Sequence, residues 1–376
     1  MQIPFFPPNL FEDDRDVLCE IVRAIGTGTS ARLILGEQTA CFEQELRTAL
    51  GAADVVACSS GTSALTLILT ALEVGPGDEV VIPALGCAPL ASTVTNLGAT
   101  PVFADVDRWT MVADPDEVAR SITSRTKVLM PAHMFSVMAD MPRMRELATA
   151  HGVRLLEDSA LAQGGVLGGR PAGLWGDAGV YSFVQVKTFG TAGEGGAVIT
   201  GDAELGRAVR MLRNHGQDGK RRFMHHRIGY NSRFDEVQAA FLRHRLPGLR
   251  ARLDRRAAIA AHYTERFADL AEQGVLAPPA GGDGRCFYVY TLLAERRDEL
   301  REHLAAAGVA SHIYYPRTLP RQPAFATAGT WPHAEWASQR MLSIPVHPLL
   351  SDADVEHVAD AVVAHAAAGK AYVVEH

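Results

Sequence analysis

The sequence predicts an α/β protein, with a large, mainly parallel sheet and a smaller α+β unit at its C-terminal end. Two observations carry this. From about residue 55 to 200, short runs rich in Val, Ile and Leu alternate with helical patterns; after about residue 235 that alternation gives way to long helix and then to a second strand and helix set. Strands alternating with helices build a parallel sheet covered by helices, with ligands bound at the carboxyl ends of the strands.

The runs "DEVVIPA", "ATPVFADV", "TKVLMPAH", "VRLLEDSA", "AGVYSFV" and "GGAVITG" are apolar throughout and bounded by Gly, Pro or Asp, the pattern of strands buried on both faces. Between them, "DPDEVARSI" and "ADMPRMRELATAHG" read as helices capped by Asp114 and Asp140, each with a proline just inside, and Gly152 closes the second. The segment from Asp235 to Ala271 reads as amphipathic helix broken or kinked at Pro247. Then come a strand "CFYVYTLLA", a helix "RDELREHLAAAG", a strand "SHIYYP" and a last helix near "DADVEHVADAVVAHAAA". The expected division is a large domain at 1–245, including the N-terminal segment, and a small one at 246–376.

With 376 residues, 47% hydrophobic and 21% charged, the chain has the composition of a globular enzyme of about two domains. A net charge of -7 excludes a general electrostatic grip on nucleic acid or acidic membrane, so an anionic ligand needs a local site. The five cysteines are scattered, with no C-x-x-C pair, which argues against a disulfide framework or a structural zinc site. The start "MQIPFFPPNLFEDD" has no signal-peptide pattern and no run is long enough to span a membrane, so a cytoplasmic location is expected.

Three motifs carry chemistry. "ACSSGTSALTLIL" ends a strand in Ser60-Gly61-Thr62 and opens a helix whose free N–H groups and dipole suit a phosphate; a plain helix cap explains the same residues about equally well. "LLEDSALAQGG" sets Glu157 and Asp158 at the end of an apolar strand, where a carboxylate needs a cationic or donor partner, such as a protonated pyridine nitrogen, or caps the next helix. "SFVQVKTFGTAGEGG" sets Lys187 just past a strand in apolar surroundings, where an amine loses proton affinity and attacks carbonyls. Its glycine cluster suggests close approach to a ligand, yet matches neither the dinucleotide fingerprint nor the P-loop. Phosphate cradle, carboxylate and reactive lysine are together what pyridoxal 5'-phosphate (PLP) requires.

Across nearly the whole chain, "SSGTSAL", "GPGDEVVIPA", "GATPVFADVD", "HGVRLLEDSA", "GDAGVYSFVQVKTFGTAGEGGAVIT", "LRNHG" and "GYNSRFDEVQAA" resemble the fold-type I, PLP-dependent sugar aminotransferases of the DegT/StrS group. The resemblance implies that Lys187 joins the cofactor covalently and shuttles the proton once released, that Asp158 pairs with the pyridine nitrogen, and that Gly61, Thr62 and Ser182, with Ser60 beside them, hold the phosphate. It implies that Asn231 reaches the phosphate from a neighbouring subunit, hence a homodimer with shared active sites.

Two positions depart from the family pattern. Cys87 stands near where an aromatic usually covers the ring, and we expect its sulfur against the ring face. Leu161 replaces a polar neighbour of the PLP hydroxyl, a contact Gln163 or Gln185 could supply.

For the substrate, the resemblance points to the basic stretch at 215–233, with Lys220, Arg221, Arg222, His225, His226 and Arg227 as pyrophosphate and sugar contacts, and to Tyr314, Tyr315 and Arg317; a solvated loop is the plain alternative for the basic stretch. The implied reaction moves the amine of L-glutamate, through the pyridoxamine form of the cofactor, to a nucleotide-linked keto-deoxysugar. "MFSVMADM" and "SFVQVK" resemble most the enzymes that aminate C4 of TDP-4-keto-6-deoxyglucose in natural-product pathways, with C3 amination or a cyclitol ketone as the alternative. Relatives that dehydrate sugars carry histidine at the lysine position, so Lys187 argues against dehydration, and a non-catalytic regulator would more readily have lost Lys187 or Asp158.

Overall fold

The computed structural model describes residues 2–7, 11–27, 32–135, 137–221, 223–278 and 285–373. The described residues form twelve strands: β1 Asp54–Cys58, β2 Glu79–Pro83, β3 Thr100–Ala104, β4 Thr126–Leu129, β5 Arg154–Asp158, β6 Val166–Leu167, β7 Arg170–Pro171, β8 Ala178–Ser182, β9 Gly196–Thr200, β10 Val275–Leu276, β11 Tyr290–Ala294 and β12 Met341–Ile344. The helices are α1 Arg15–Ala24, α2 Glu37–Leu50, α3 Gly61–Ala71, α4 Ala88–Asn96, α5 Pro115–Ser121, α6 Met141–His151, α7 Ala203–Arg213, α8 Glu236–Arg245, α9 Leu249–Arg266, α10 Arg297–Ala306, α11 Pro332–Arg340 and α12 Asp352–Val373.

Seven strands make one sheet in the order β1-β9-β8-β5-β4-β2-β3. Six share one direction, and β9 alone is antiparallel to both its neighbours, β1 and β8. The expected mainly parallel sheet is therefore present. Strands β2, β8 and β9 are buried along their whole length, as their unbroken apolar runs require. Register brings Ser182 and Cys58 each opposite Gly196, so the carboxyl ends of β8 and β1 meet the start of β9 at one edge. A Cβ on Gly196 would lie 2.3 Å from the Ser60 carbonyl carbon, so only glycine lets β9 pass under the turn that opens α3.

Local signals hold at the helix ends. Asp114 accepts from the N–H groups of Asp116 and Glu117, Asp140 accepts from Arg143 N–H, and Gly152 closes α6 at a φ of 64°. The long helix breaks between α8 and α9, at Pro247. Behind the sheet, Phe42, Phe183, Phe189 and Phe234 pack as one buried aromatic group, each worth about 1.5–3 kcal/mol of apolar burial.

Strands β10, β11 and β12 form a second, antiparallel sheet with its own core, in which Tyr263, Phe267 and Tyr290 stack against α9 and α12 residues such as Val358 and Val362. Two readings change here. "SHIYYP" is not a strand: His312 makes a two-bond bridge to Ser343, after which the chain leaves the sheet, and "MLSI" supplies the strand. Ile3, expected with the large unit, is buried in the second core and hydrogen-bonds along residues 308–310. An apolar residue followed by prolines finds its partner by tertiary docking, which no local pattern signals.

Candidate active site

A cavity of about 230 Å³ opens at the carboxyl edge of the large sheet, lined by residues from six separate segments. Ser60, Gly61 and Thr62 come from the start of α3, Cys87 from the cap of α4, Asp158 from the end of β5, Ser182 from the end of β8, and Lys187 from the turn beyond it. Tyr315 reaches in from the stretch after α10.

Each side chain is set by its own local geometry. Ser60 is extended and its Oγ accepts from Ser63 N–H at 3.0 Å, which caps α3 and leaves the N–H groups of Gly61 and Thr62 without intrahelical acceptors at the cavity. A Cβ on Gly61 would sit 2.9 Å from Ser182 Cβ, so the turn and the end of β8 are in close contact. Lys187 N–H donates to Val184 O at 2.9 Å, a turn that leaves Lys187 lining the cavity with Ser182 and Val184. Its Nζ stands 4.5 Å from the ring centre of Tyr288.

The electrostatics separate the two acids of β5, because consecutive strand residues face opposite sides. Asp158 lines the cavity; burial pushes its carboxyl up, against the Ala160 N–H bond and the charge of Lys187. Glu157 is turned into the structure and accepts from the N–H groups of Gly173 and Trp175 at 2.6 and 2.8 Å and from His133 Nε2. Burial raises its carboxyl, but the hydrogen bond from His133 and these N–H groups outweigh it and hold the group below the ordinary 4.5. For Lys187, burial pulls the amine down to about 8, opposed by Cys87, Asp158, Cys286 and Glu194.

The structure brings Ser60, Gly61, Thr62, Cys87, Asp158, Ser182, Lys187 and Tyr315 together. Cys87 faces the cavity, hydrogen-bonded to the Tyr315 hydroxyl, and its sulfur does not turn into the core. Gln163 is corrected: it is buried beneath the wall, its amide spent on the carbonyls of Ser182 and Ala160 and on Thr188 Oγ1. Gln185 is exposed and outside the lining, because the turn that presents Lys187 carries its neighbour two positions back to the surface. Tyr314 packs behind Tyr315 with ring centres 6.0 Å apart, and Arg317 is exposed.

Asn231 is exposed and accepts from Arg233 Nε, away from the cavity of its own chain. Lys220, His226 and Arg227 line a different cavity, about 780 Å³, beside α7, while Arg221 and His225 are exposed and Arg222 lies outside the described residues. Sequence reasoning missed three residues near the amine: His133 at the end of "TKVLMPAH", Glu194 in the glycine cluster, and Tyr288. The first two stood in motifs already singled out; Tyr288 had no local signal.

Residues 19–363 match the DegT/DnrJ/EryC1/StrS aminotransferase family. The chain belongs to that family. It is 41% identical over 346 residues to the UDP-N-acetyl-3-dehydro-α-D-glucosamine 3-aminotransferase of Acidithiobacillus ferrooxidans, covering 91% of this chain and 93% of that one. It is 39% identical over 338 residues to the dTDP-3-amino-3,4,6-trideoxy-α-D-glucose transaminase of Streptomyces venezuelae, covering 89% and 88%. The crystal structure of S. venezuelae DesV in complex with a ketimine intermediate superposes with a TM-score of 0.91 at 37% identity, covering 97% of this chain and 98% of that chain.

The protein is thus a PLP-dependent aminotransferase with the fold of that family. The cavity suits PLP, because a helix N-terminus, a buried carboxylate and a desolvated amine converge on it from different sides. No helix among the described residues is long and apolar enough to cross a membrane.

Proposed function

We propose that this enzyme transfers the amine of L-glutamate to a keto group on a nucleotide-linked sugar, with Lys187 and Asp158 as its catalytic residues. The observation that carries this is the meeting of Lys187, Asp158 and the first turn of α3 in one cavity. When bound, PLP supplies an aldehyde that exchanges amines and a ring that accepts electrons. The N–H groups of Gly61 and Thr62, with the Ser60 and Ser182 side chains, hold the phosphate end. Asp158 keeps the ring nitrogen protonated by offering it a buried negative partner. Lys187 Nζ, with its affinity for protons lowered to about 8, moves the proton at the carbon that gains or loses the amine. Cys87 and Tyr315 line the cavity where they would cover the ring face, and Leu161 adds an apolar side chain to its wall.

The sugar reading follows the relatives. C4 of a TDP-4-keto-6-deoxy sugar was the expectation from sequence, with C3 as its alternative; the names of the A. ferrooxidans and S. venezuelae relatives both specify position 3 and favour the alternative. We therefore infer a 3-keto nucleotide sugar, with the C4 ketone as the competing substrate.

The basic stretch of one chain serves the cavity of a second copy, so the working form is a cytoplasmic homodimer with each site completed by both chains. Two facts support this reading: Lys220, His226 and Arg227 stand apart from their own chain's Lys187 cavity, and Ile228, directly after Arg227, is 95% exposed. In it, Lys220, Arg221, His225, His226 and Arg227 meet the pyrophosphate and sugar while Asn231 meets the cofactor phosphate. The division near residue 245 belongs to the same reading, with the large unit carrying the cofactor.

A single-turnover titration tests it. Enzyme carrying the aminated cofactor and freed of glutamate is mixed with a 3-keto or a 4-keto nucleotide sugar, and the visible band and the amino sugar are followed. Return of the yellow band with the 3-keto substrate supports the reading; return with the 4-keto substrate alone moves the amination to C4; return with neither overturns the nucleotide-sugar assignment.

A further inference from the structure

Tyr288 lies just before β11, in the second unit, yet its ring faces the amine of Lys187, with Nζ 4.5 Å from the ring centre. An ammonium over an aromatic face is attracted by the ring quadrupole, and more strongly where water is excluded. Tyr288 is 5% exposed, so the ring side of the contact is shielded from water.

The ring is held where it is. Its edge meets Tyr314 at 6.4 Å with the planes at 62°, and the two hydroxyl oxygens are 3.5 Å apart. Tyr314 is in turn backed by Phe5 of the N-terminal segment at 6.1 Å. Beneath, the buried guanidinium of Arg256 donates to the carbonyls of Phe287 and Tyr288, both at 3.2 Å, and to that of Val346, fixing the backbone that carries the ring. The other titratable groups acting on the amine are the carboxyls of Asp158 and Glu194 and the thiols of Cys87 and Cys286.

We propose that Tyr288 is a positioning residue for Lys187, its ring face providing the resting place of the amine whenever Lys187 is not joined to the cofactor. In a transaminase the lysine is free of the cofactor from the arrival of the amino donor until the aminated product leaves, and over that interval has to remain within reach of the reacting carbon. A flat, slightly negative face holds it there without the fixed hydrogen bond that a carboxylate would impose. The face also favours the charged amine, opposing the loss of proton affinity that burial causes. This rests on Lys187 being the cofactor lysine, and not on the identity of the sugar.

The test uses the full-length protein stripped of cofactor, with PLP itself as the probe and no sugar. Only the neutral amine reacts with PLP, so the rate at which the yellow band forms, followed against pH, gives the proton affinity of Lys187. Tyr288→Phe keeps the ring and removes the hydroxyl. Pentafluorophenylalanine at the same position keeps the shape and reverses the charge of the ring face, so it folds as the Phe variant does and isolates the electrostatic contact. The Phe variant should hold the wild-type midpoint, and the fluorinated one should shift it down by about one pH unit. Equal midpoints in all three overturn the proposal, as does a downward shift in the Phe variant equal to that of the fluorinated one, which would assign the effect to the hydroxyl. Failure of the sugar assignment in the single-turnover experiment would leave this result untouched.

Discussion

His133 Nε2 lies 2.7 Å from Glu157 Oε1, with both side chains sealed from solvent. His133 Nδ1 accepts from Ala139 N–H at 3.1 Å, so Nε2 carries the ring proton and donates it to the carboxylate. Glu157 is thereby an anchor for β5 and for the turn at 173–176, while its neighbour Asp158 is left to serve the cavity.

Removing that anchor will destabilise the fold. Glu157→Ala strands the N–H groups of Gly173 and Trp175 and the His133 donor, at a cost of about 3–5 kcal/mol read by urea denaturation. The wild-type contribution depends on pH in a defined sense. Because the folded carboxyl sits below its ordinary 4.5, its stabilisation is complete above pH 4.5 and is lost as pH falls through the folded value. A Glu157→Gln variant should flatten that part of the stability profile, and an unchanged acid limb would remove the assignment.

Asp158→Asn keeps the acceptor for Ala160 N–H but loses the charge. Turnover should fall by about 100-fold or more while the protein still folds and takes up cofactor. Near-normal kcat would mean that some other group keeps the ring nitrogen protonated.

In the proposed mechanism, Lys187→Ala removes both the covalent anchor and the proton carrier. Steady-state transamination should drop by about 10⁴-fold or more, and the cofactor should wash out on dialysis. Retained turnover would end the mechanism outlined above.

Cys87 faces the cavity, so bound PLP should shield it from alkylation. Peptide mass spectrometry after iodoacetamide treatment should find Cys87 modified in the cofactor-free protein and spared in the loaded one, with the exposed Cys19 labelled equally in both. Equal labelling of Cys87 in the two forms would show that its sulfur does not cover the ring.

The proposed shared active sites predict complementation. Lys187→Ala and Arg227→Ala chains, each inactive as homodimers, should regain roughly one quarter of wild-type activity after mixing and reassembly, because half the dimers then hold one intact site. No recovery in mixtures proven to contain heterodimers would place each site within a single chain.

What the sequence determined by itself was whatever depends on neighbours along the chain. Apolar runs bounded by turn residues made the strands of the large sheet, Asp114, Asp140 and Gly152 set helix ends through hydrogen bonds to the nearest turn, and Pro247 broke the long helix by lacking an N–H. The motifs around Ser60, Asp158 and Lys187 were legible for the same reason, each being a strand end with its following turn. Tertiary structure decided what depends on residues far apart in sequence. It chose Asp158 over Glu157 for the cavity, turned Gln163 into the wall, ran β9 against its neighbours, replaced "SHIYYP" by "MLSI" in the second sheet, and laid Tyr288 against an amine about a hundred positions earlier. Those outcomes follow from packing and burial, which select among arrangements that local propensity leaves equal in energy.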